Sequence, residues 1–314
     1  LLQLIWHAEA AGVWCVEGGL HNLARAMGEL AARQGVKQRY QTGAERLEQQ
    51  SGRVAKVHLT DGTRLSCDAV VFNGDPMALS LGLLGTGVQS AVKSTGVMPR
   101  SLSARVWAFA ATPNGPDLAH HNVFFGNDPE DEFGPISQGK PPVEPTLYVC
   151  AQDRGTGTNA AAVERFEIIE NAAPSDALDP REKDTCRTRV FNQLAEFGLT
   201  FTPTPGEAAL TVPAEFHALF PGSFGSLYGR SPHGMTASLA RPRARTAIKG
   251  LYLAGGGAHP GAGIAMATLS GKHAAAAIRT DLALPSTSRP TAMHGGTSTA
   301  SRIAGATPSR SSLS

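Results

Sequence analysis

The sequence predicts a mixed α/β fold in which an antiparallel β layer is set between two stretches of α/β texture, and three observations carry that expectation. Ala69–Phe72 and Leu251–Ala254 are continuously apolar runs, suited to strands buried on both faces, and each leads into a glycine-bearing turn and a helix-compatible segment. Between them, from about Ser101, short apolar runs at Arg105–Ala110, Thr146–Cys150 and Phe166–Glu170 alternate with long loops rich in Pro, Gly and Asp, the texture of antiparallel strands. With 314 residues, 41% hydrophobic and 17% charged, the chain can bury the core of one large or two medium domains.

Taken in order, Val13–Val16 is a short β-branched run, Gly18-Gly19 a turn, and Leu20, Leu23, Ala24, Met27, Leu30 and Ala31 recur at helical spacing until Gly35. Glu17, beside the turn, reads as a carboxylate favoured at a helix entry or as an acid group of a site. Lys37–Tyr40, Glu45–Leu47, Val54–Thr60 and Thr63–Ser66 form an expected β-meander, with Asp61-Gly62 as a two-residue turn. After Ala69–Phe72, Asp75 has the position of an N-cap and Pro76 that of the first helical residue. A helix is expected from Pro180 to Phe197, because Cys186, Val190, Leu194 and Phe197 share one face and Gly198 ends it. The Ala-rich stretch from Ile264 to about Leu282 is a second long helix, and the Ser-, Thr- and Pro-rich residues beyond it are expected to be disordered. The corresponding expected divisions are residues 1–100, 101–245, 246–283 and 284–314.

A net charge of +2, with Lys and Arg scattered apart from Arg241, Arg243 and Arg245, gives no case for nucleic acid. Cys15, Cys67, Cys150 and Cys186 are far apart, without CxxC or zinc-finger spacing, so neither a metal site nor a disulfide framework is expected and a reducing compartment fits. Gly250–Gly271 lacks Asp, Glu, Lys and Arg but is broken by seven glycines and His259-Pro260, which excludes a spanning helix there. The chain starts at Leu1 without a signal peptide, and a truncated reading frame is expected.

The segment that carries chemistry is Leu251-Tyr252-Leu253-Ala254-Gly255-Gly256-Gly257-Ala258-His259-Pro260-Gly261-Ala262-Gly263-Ile264. Glycines between a buried strand and a helix let backbone approach a cofactor closely, and the N–H groups that open the helix favour a phosphate or a flavin carbonyl. The competing reading is a glycine-rich turn needed only for close packing.

This segment closely resembles the C-terminal FAD signature of the phytoene desaturase family, within the amine-oxidase-like flavoproteins. Val16-Glu17-Gly18-Gly19-Leu20 and Asp68-Ala69-Val70-Val71-Phe72-Asn73-Gly74-Asp75-Pro76 resemble the same family in the same order, and the likeness runs from about Leu4 to Leu282. Leu147–Arg154 and the run from Phe220-Pro221-Gly222 to Leu227–Gly234 look like the branch acting on 1-hydroxycarotenoids, the 3,4-desaturases. The resemblance implies a Rossmann-like FAD-binding domain with an inserted mixed or antiparallel-sheet substrate domain. It also implies removal of two hydrogens from C3 and C4 of an acyclic hydroxylated carotenoid, with flavin N5 accepting the hydride and a base or electrostatic arrangement taking the proton. Another phytoene-type desaturase or a carotenoid cis–trans isomerase would keep the same signature.

The family's GxGxxG fingerprint and first βαβ unit have no convincing copy here. Gly155-Thr156-Gly157-Thr158-Asn159-Ala160 fits G-x-G-x-x-A but is followed by no periodic helix and reads as a surface loop. A non-catalytic remnant that does not bind FAD, acting if at all as a lipid- or carotenoid-binding module, is thus a third reading.

The resemblance places Gly255, Gly256, Gly257, Gly261, Gly263, Ile264 and Ala44 at the cofactor. His259, inside the turn, touches the flavin or substrate region or else holds the turn by a backbone hydrogen bond. Arg230 and His233 recognise the tertiary hydroxyl, whose burial in an apolar tunnel demands a partner, or else serve a polar loop. Trp107, Phe109, Tyr148 and Phe224 line the tunnel or pack the core. From the family's hydrocarbon substrate follow a peripheral place on the cytoplasmic side of the inner photosynthetic membrane and a quinone or oxygen as electron acceptor.

Overall fold

In a computed structural model of the chain, residues 10, 12, 14, 16–155, 161–234 and 237–283 are described. The helix α1 spans Leu20–Arg33, and Gly35 follows it with φ of +84°. Its apolar residues Leu20, Leu23, Met27 and Leu30 do share a face as the spacing predicts, yet no residue of α1 is buried. Of the expected strand Val13–Val16, Val13 and Cys15 lie outside the described residues, and Trp14 and Val16 are not in a strand.

The meander has three strands, β1 (Ala44–Gln50), β2 (Arg53–Leu59) and β3 (Arg64–Ser66), paired antiparallel in that order. Lys37–Tyr40 is not a fourth. All four of its side chains are exposed, so alternation there has no core to face, and the Gln38 amide instead donates to the Gly28 carbonyl of α1.

β4 (Val70–Phe72) and β11 (Leu251–Leu253) pair in parallel, Leu251 opposite Val70 and Leu253 opposite Phe72. Their inward residues join Leu47, Val54, Met77 and Leu79 in one apolar core. On the outer face, Tyr252 is covered by Ala274 and Ala277 of the helix α6 (Ile264–Ala283). β11 is therefore buried on both faces, as expected, whereas Val71 of β4 is 46% exposed. The short helix α2 (Pro76–Ser80) starts as the sequence predicts, with Asp75 Oδ1 accepting from Met77 N at 2.9 Å and Pro76 in the first turn.

The middle of the chain forms an antiparallel sheet in the order β10 (Leu210–Thr211), β5 (Ser103–Asn114), β8 (Glu164–Ala172), β7 (Leu147–Ala151), β6 (His121–Phe124), with β9 (Thr200–Thr202) also on β5. Every second residue of β8 is buried, among them Phe166 and Ile168, giving the sheet one packed face. Against it lies α4 (Glu182–Glu196) through Cys186, Val190 and Leu194. Phe197, expected on that face, is the C-cap and 43% exposed. Glu170 is fully buried but matched: Arg105 Nη1 approaches it at 2.9 Å and Arg189 Nη2 at 2.6 Å. The helices α3 (Pro129–Ser137) and α5 (Pro213–Leu219) complete the layer. Residues 284–314 and most of the Gly155–Ala160 loop lie outside the described residues. Among the described residues no helix is long and apolar enough to cross a membrane.

Candidate functional site

The site is the glycine-rich turn joining β11 to α6. Ala254 N donates to Phe72 O at 3.1 Å, extending the parallel pairing into the turn, and Gly255 N donates to Ser270 Oγ at 2.7 Å. Ser270, nearly two turns into α6, thereby ties the helix to the end of the strand. His259 N donates to Pro242 O at 2.7 Å, which holds the middle of the turn against the preceding loop.

The glycines divide by what surrounds them. A Cβ on Gly257 would lie 2.5 Å from Cδ of the Pro76 ring, so packing against the turn that follows β4 requires glycine there, whereas Gly255, whose Cβ position is 2.5 Å from Asn73 Oδ1, has a φ of +104° that itself favours glycine. A Cβ on Gly256 would meet only Ala262, at ordinary contact, and one on Gly261 would stand 3.7 Å from Arg241 Nε. Gly263, with φ of +92°, has no atom within 4 Å of a Cβ position and stands in open space before α6. Ile264, the first residue of α6, is exposed. Both sequence readings of the turn are thus realised, on different residues: Gly257 closes the packing, while Gly256, Gly263 and the opening of α6 leave room beside unpaired helix N–H groups. That open lip fits an oxygen-rich cofactor edge. Ala44 opens β1 on the separate meander sheet, exposed and opposite Leu59.

Two arginines that sequence reasoning did not single out organise the site. Arg241, 6% exposed, donates from Nη1 to Gly256 O at 2.8 Å and from Nη2 to Arg230 O at 2.7 Å, joining the turn to the Leu227–Gly234 segment. The join is tight: a Cβ on Gly229 would stand 3.0 Å from Gly257 Cα. Burial first, then the positive charges of Arg230 and Arg100, hold the Arg241 guanidinium below its ordinary range. Arg100 forms a buried ion pair with Asp75 and donates to Ser223 O at 3.1 Å, tying the β4 turn to the loop just before that segment. In the sequence Arg241 appears only as part of a short basic cluster, and Arg100 carries no signal. Their partners are backbone carbonyls and a distant carboxylate, which no local spacing reveals.

Of the predicted residues, Arg230 donates to the carbonyls of Thr95, Ser231 and Ala237 and so braces its own segment. His233 is exposed, its backbone N–H directed to Ser231 Oγ. The His259 ring lies parallel to that of His273 at 6.4 Å. Arg230 and His259 are brought to one neighbourhood by Arg241 and Pro242, whereas His233 sits at its rim. Trp107 is fully buried and meets Phe191 edge-on at 5.0 Å, and Phe109 packs among Phe166, Phe191 and Phe201. Tyr148 hydrogen-bonds with His121, and Phe224 stacks on His217. Trp107 therefore belongs to the core, the packing alternative of the sequence reading.

Comparison of the sequence with known proteins places the chain among flavoproteins. The family described as flavin containing amine oxidoreductase matches residues 4–279. Hydroxyneurosporene desaturase of Cereibacter sphaeroides is 56% identical over 283 residues, 90% of this chain and 57% of the relative. The protein of the same name from Rhodobacter capsulatus is 51% identical over 281 residues, with the same two shares. That of Rubrivivax gelatinosus is 42% identical over 310 residues, 97% of this chain and 59% of the relative. The chain thus spans less than two thirds of the length of these relatives.

Proposed function

The chain belongs to the flavin containing amine oxidoreductase family, and from that premise we propose that the intact protein desaturates an acyclic hydroxylated carotenoid at C3–C4 with FAD as cofactor. The observation that carries this reading is the contact of the Leu227–Gly234 segment, which resembles that of the hydroxycarotenoid branch, with the glycine turn at Gly229 and Gly257. A segment seated there lies where a substrate end group would meet the cofactor. The three relatives named hydroxyneurosporene desaturase support the same substrate class.

FAD, when bound, supplies the two-electron acceptor. The residues that would hold its edge are Gly256, Gly261, Gly263 and Ile264. The chain's own work is to keep that edge shaped. Arg241 fixes the Gly256 carbonyl, Ser270 fixes Gly255, and the Asp75–Arg100 pair locks the neighbouring turn. Each polar group so engaged is withdrawn from water, which favours an apolar substrate beside it. His259 and Arg230, held in the same neighbourhood, are the groups to manage the proton and the hydroxyl. A peripheral place on the cytoplasmic side of the inner photosynthetic membrane, and a quinone or oxygen as final acceptor, complete the reading. Leu219, Phe220 and Leu239, all more than half exposed, supply apolar surface for such contact.

The test is to express the full-length reading frame in a host that accumulates 1-hydroxyneurosporene and to analyse the pigments. A product lighter by two hydrogens with red-shifted absorption supports the proposal. An isomer of unchanged mass points to a cis–trans isomerase, and unaltered pigment refutes both.

A further inference from the structure

At the outer edge of the antiparallel sheet, far along the chain from the glycine turn, three side chains with metal-ligand chemistry converge. His120 immediately precedes the edge strand β6, His121 is its first residue, and Cys150 lies directly across on β7 as the partner of His121. One ligand atom from each lies within 4.8 Å of the other two. His120 Nε2 stands 3.7 Å from Cys150 Sγ, and ligands on a tetrahedral zinc with bonds of about 2.0–2.3 Å are themselves about 3.3–3.8 Å apart.

The surroundings orient these groups. His120 Nδ1 is 2.8 Å from the Arg154 carbonyl, an acceptor only, so Nδ1 carries the proton and Nε2 keeps its lone pair toward Cys150. Arg154 is itself fixed, with its guanidinium on Glu164 at 2.7 and 2.9 Å, on Asp117 at 3.0 Å and on the Leu118 carbonyl at 2.8 Å. Ala151 N donates to His120 O at 2.9 Å, locking the backbone between the two inner residues. His121 Nδ1 pairs with the Tyr148 hydroxyl at 2.7 Å, and the two imidazoles stand at 84°. Cys150 is buried, His120 half-buried and His121 exposed, so an ion would meet two positioned ligands and close on one adjustable ligand facing water.

We propose that His120, His121 and Cys150 form a binding site for a divalent cation of borderline softness, zinc foremost, which clamps the edge strand β6 to β7. Two imidazoles and a thiolate select zinc over magnesium or calcium, whose ligands are oxygens. Binding displaces the Cys150 thiol proton to solvent and forms one metal–sulfur and two metal–nitrogen bonds, the fourth position remaining open to water. The ligands come from positions 30 residues apart and are joined by strand pairing, so their spacing in the sequence shows no metal motif. The site lies apart from the glycine turn, and the proposal stands whether or not carotenoid desaturation does.

The full-length protein, treated with chelator and dialysed, is titrated with zinc against a chromophoric chelator and separately with cobalt to read the thiolate-to-metal absorption band. The expected result is one equivalent bound, an unfolding midpoint raised by zinc, a cobalt–thiolate band that Cys150→Ser abolishes, and affinity lowered at least tenfold in His121→Ala. Because the His121 side chain is exposed, that variant keeps its fold, which far-UV circular dichroism verifies. Binding well below one equivalent, or affinity unchanged in His121→Ala, overturns the proposal. A cobalt band that survives in Cys150→Ser places the ion elsewhere and overturns it as well.

Discussion

Replacing Gly257 by alanine, beside the same change at Gly256, isolates what the close packing of the glycine turn contributes. Neither residue has left-handed backbone, so φ strain does not enter. A Cβ at position 257 would lie 2.5 Å from Cδ and 3.1 Å from Cγ of Pro76, a rigid ring in the first turn of α2 that has no rotamer to escape into. Forcing a methyl group into such a filled place costs about 1–3 kcal/mol. At position 256 the nearest atoms, Cα and Cβ of Ala262, are at 3.6 and 3.7 Å, an ordinary contact. There alanine stabilises by about 0.4–1 kcal/mol through the unfolded chain. The two variants should therefore differ by about 1.5–4 kcal/mol, with Gly257→Ala the lower in melting temperature. Thermal melts of the full-length protein followed by far-UV circular dichroism measure the gap. Equal melting temperatures, or a lower one for Gly256→Ala, would refute the assignment of Gly257 to packing and of Gly256 to the open lip.

Arg241→Met keeps the bulk but removes both donors to the Gly256 and Arg230 carbonyls, and should lower stability by about 2–4 kcal/mol and reduce retained flavin. Arg241→Lys should not restore the flavin-to-protein absorbance ratio, because one ammonium cannot span two carbonyls as the guanidinium fork does; full restoration would count against the clamp. Burial pushes the Cys186 thiol up to about 12, and the neighbouring Glu170 adds to the shift. At pH 8 its thiolate fraction should be about one in ten thousand, so iodoacetamide should label Cys186 only after urea unfolding, as read by peptide mass spectrometry.

Those elements whose cause is local were legible in the sequence. Asp75 and Pro76 announce the start of α2 because capping involves only neighbouring atoms, and Cys186, Val190 and Leu194 mark the buried stripe of α4 by periodicity alone. Lys37–Tyr40 misled because a short alternation fits a strand whether or not a partner exists to pair with it. Val71 misled differently: an apolar residue in a buried-looking run is left 46% exposed, and a continuous apolar run does not say how many of its faces are covered. Within the site, the glycines were visible as a pattern, but their division into packed and open members depends on Pro76, a residue some 180 positions away. Arg241 and Arg100 were missed for the same reason, since their roles are defined by carbonyls and a carboxylate brought near only by the fold.

The parallel pairing of β4 with β11 has a consequence in time. Val70 and Leu251 meet across roughly 180 residues, and closing so long a flexible loop costs about 4–5 kcal/mol of chain entropy. Ser101 N bonds Gly229 O at 2.9 Å and Leu227 N bonds Leu102 O at 3.2 Å, so the antiparallel layer, once formed, pinches its own two ends together. The slack then falls to about fifty residues and the cost to about 3.5 kcal/mol, favouring the order in which the middle of the chain folds first. On a ribosome adding about 5–20 residues per second, β4 emerges roughly 10–35 s before its partner exists. During that interval an apolar strand stands without its neighbour, and the glycine turn that completes the site is among the last parts of the fold to be made.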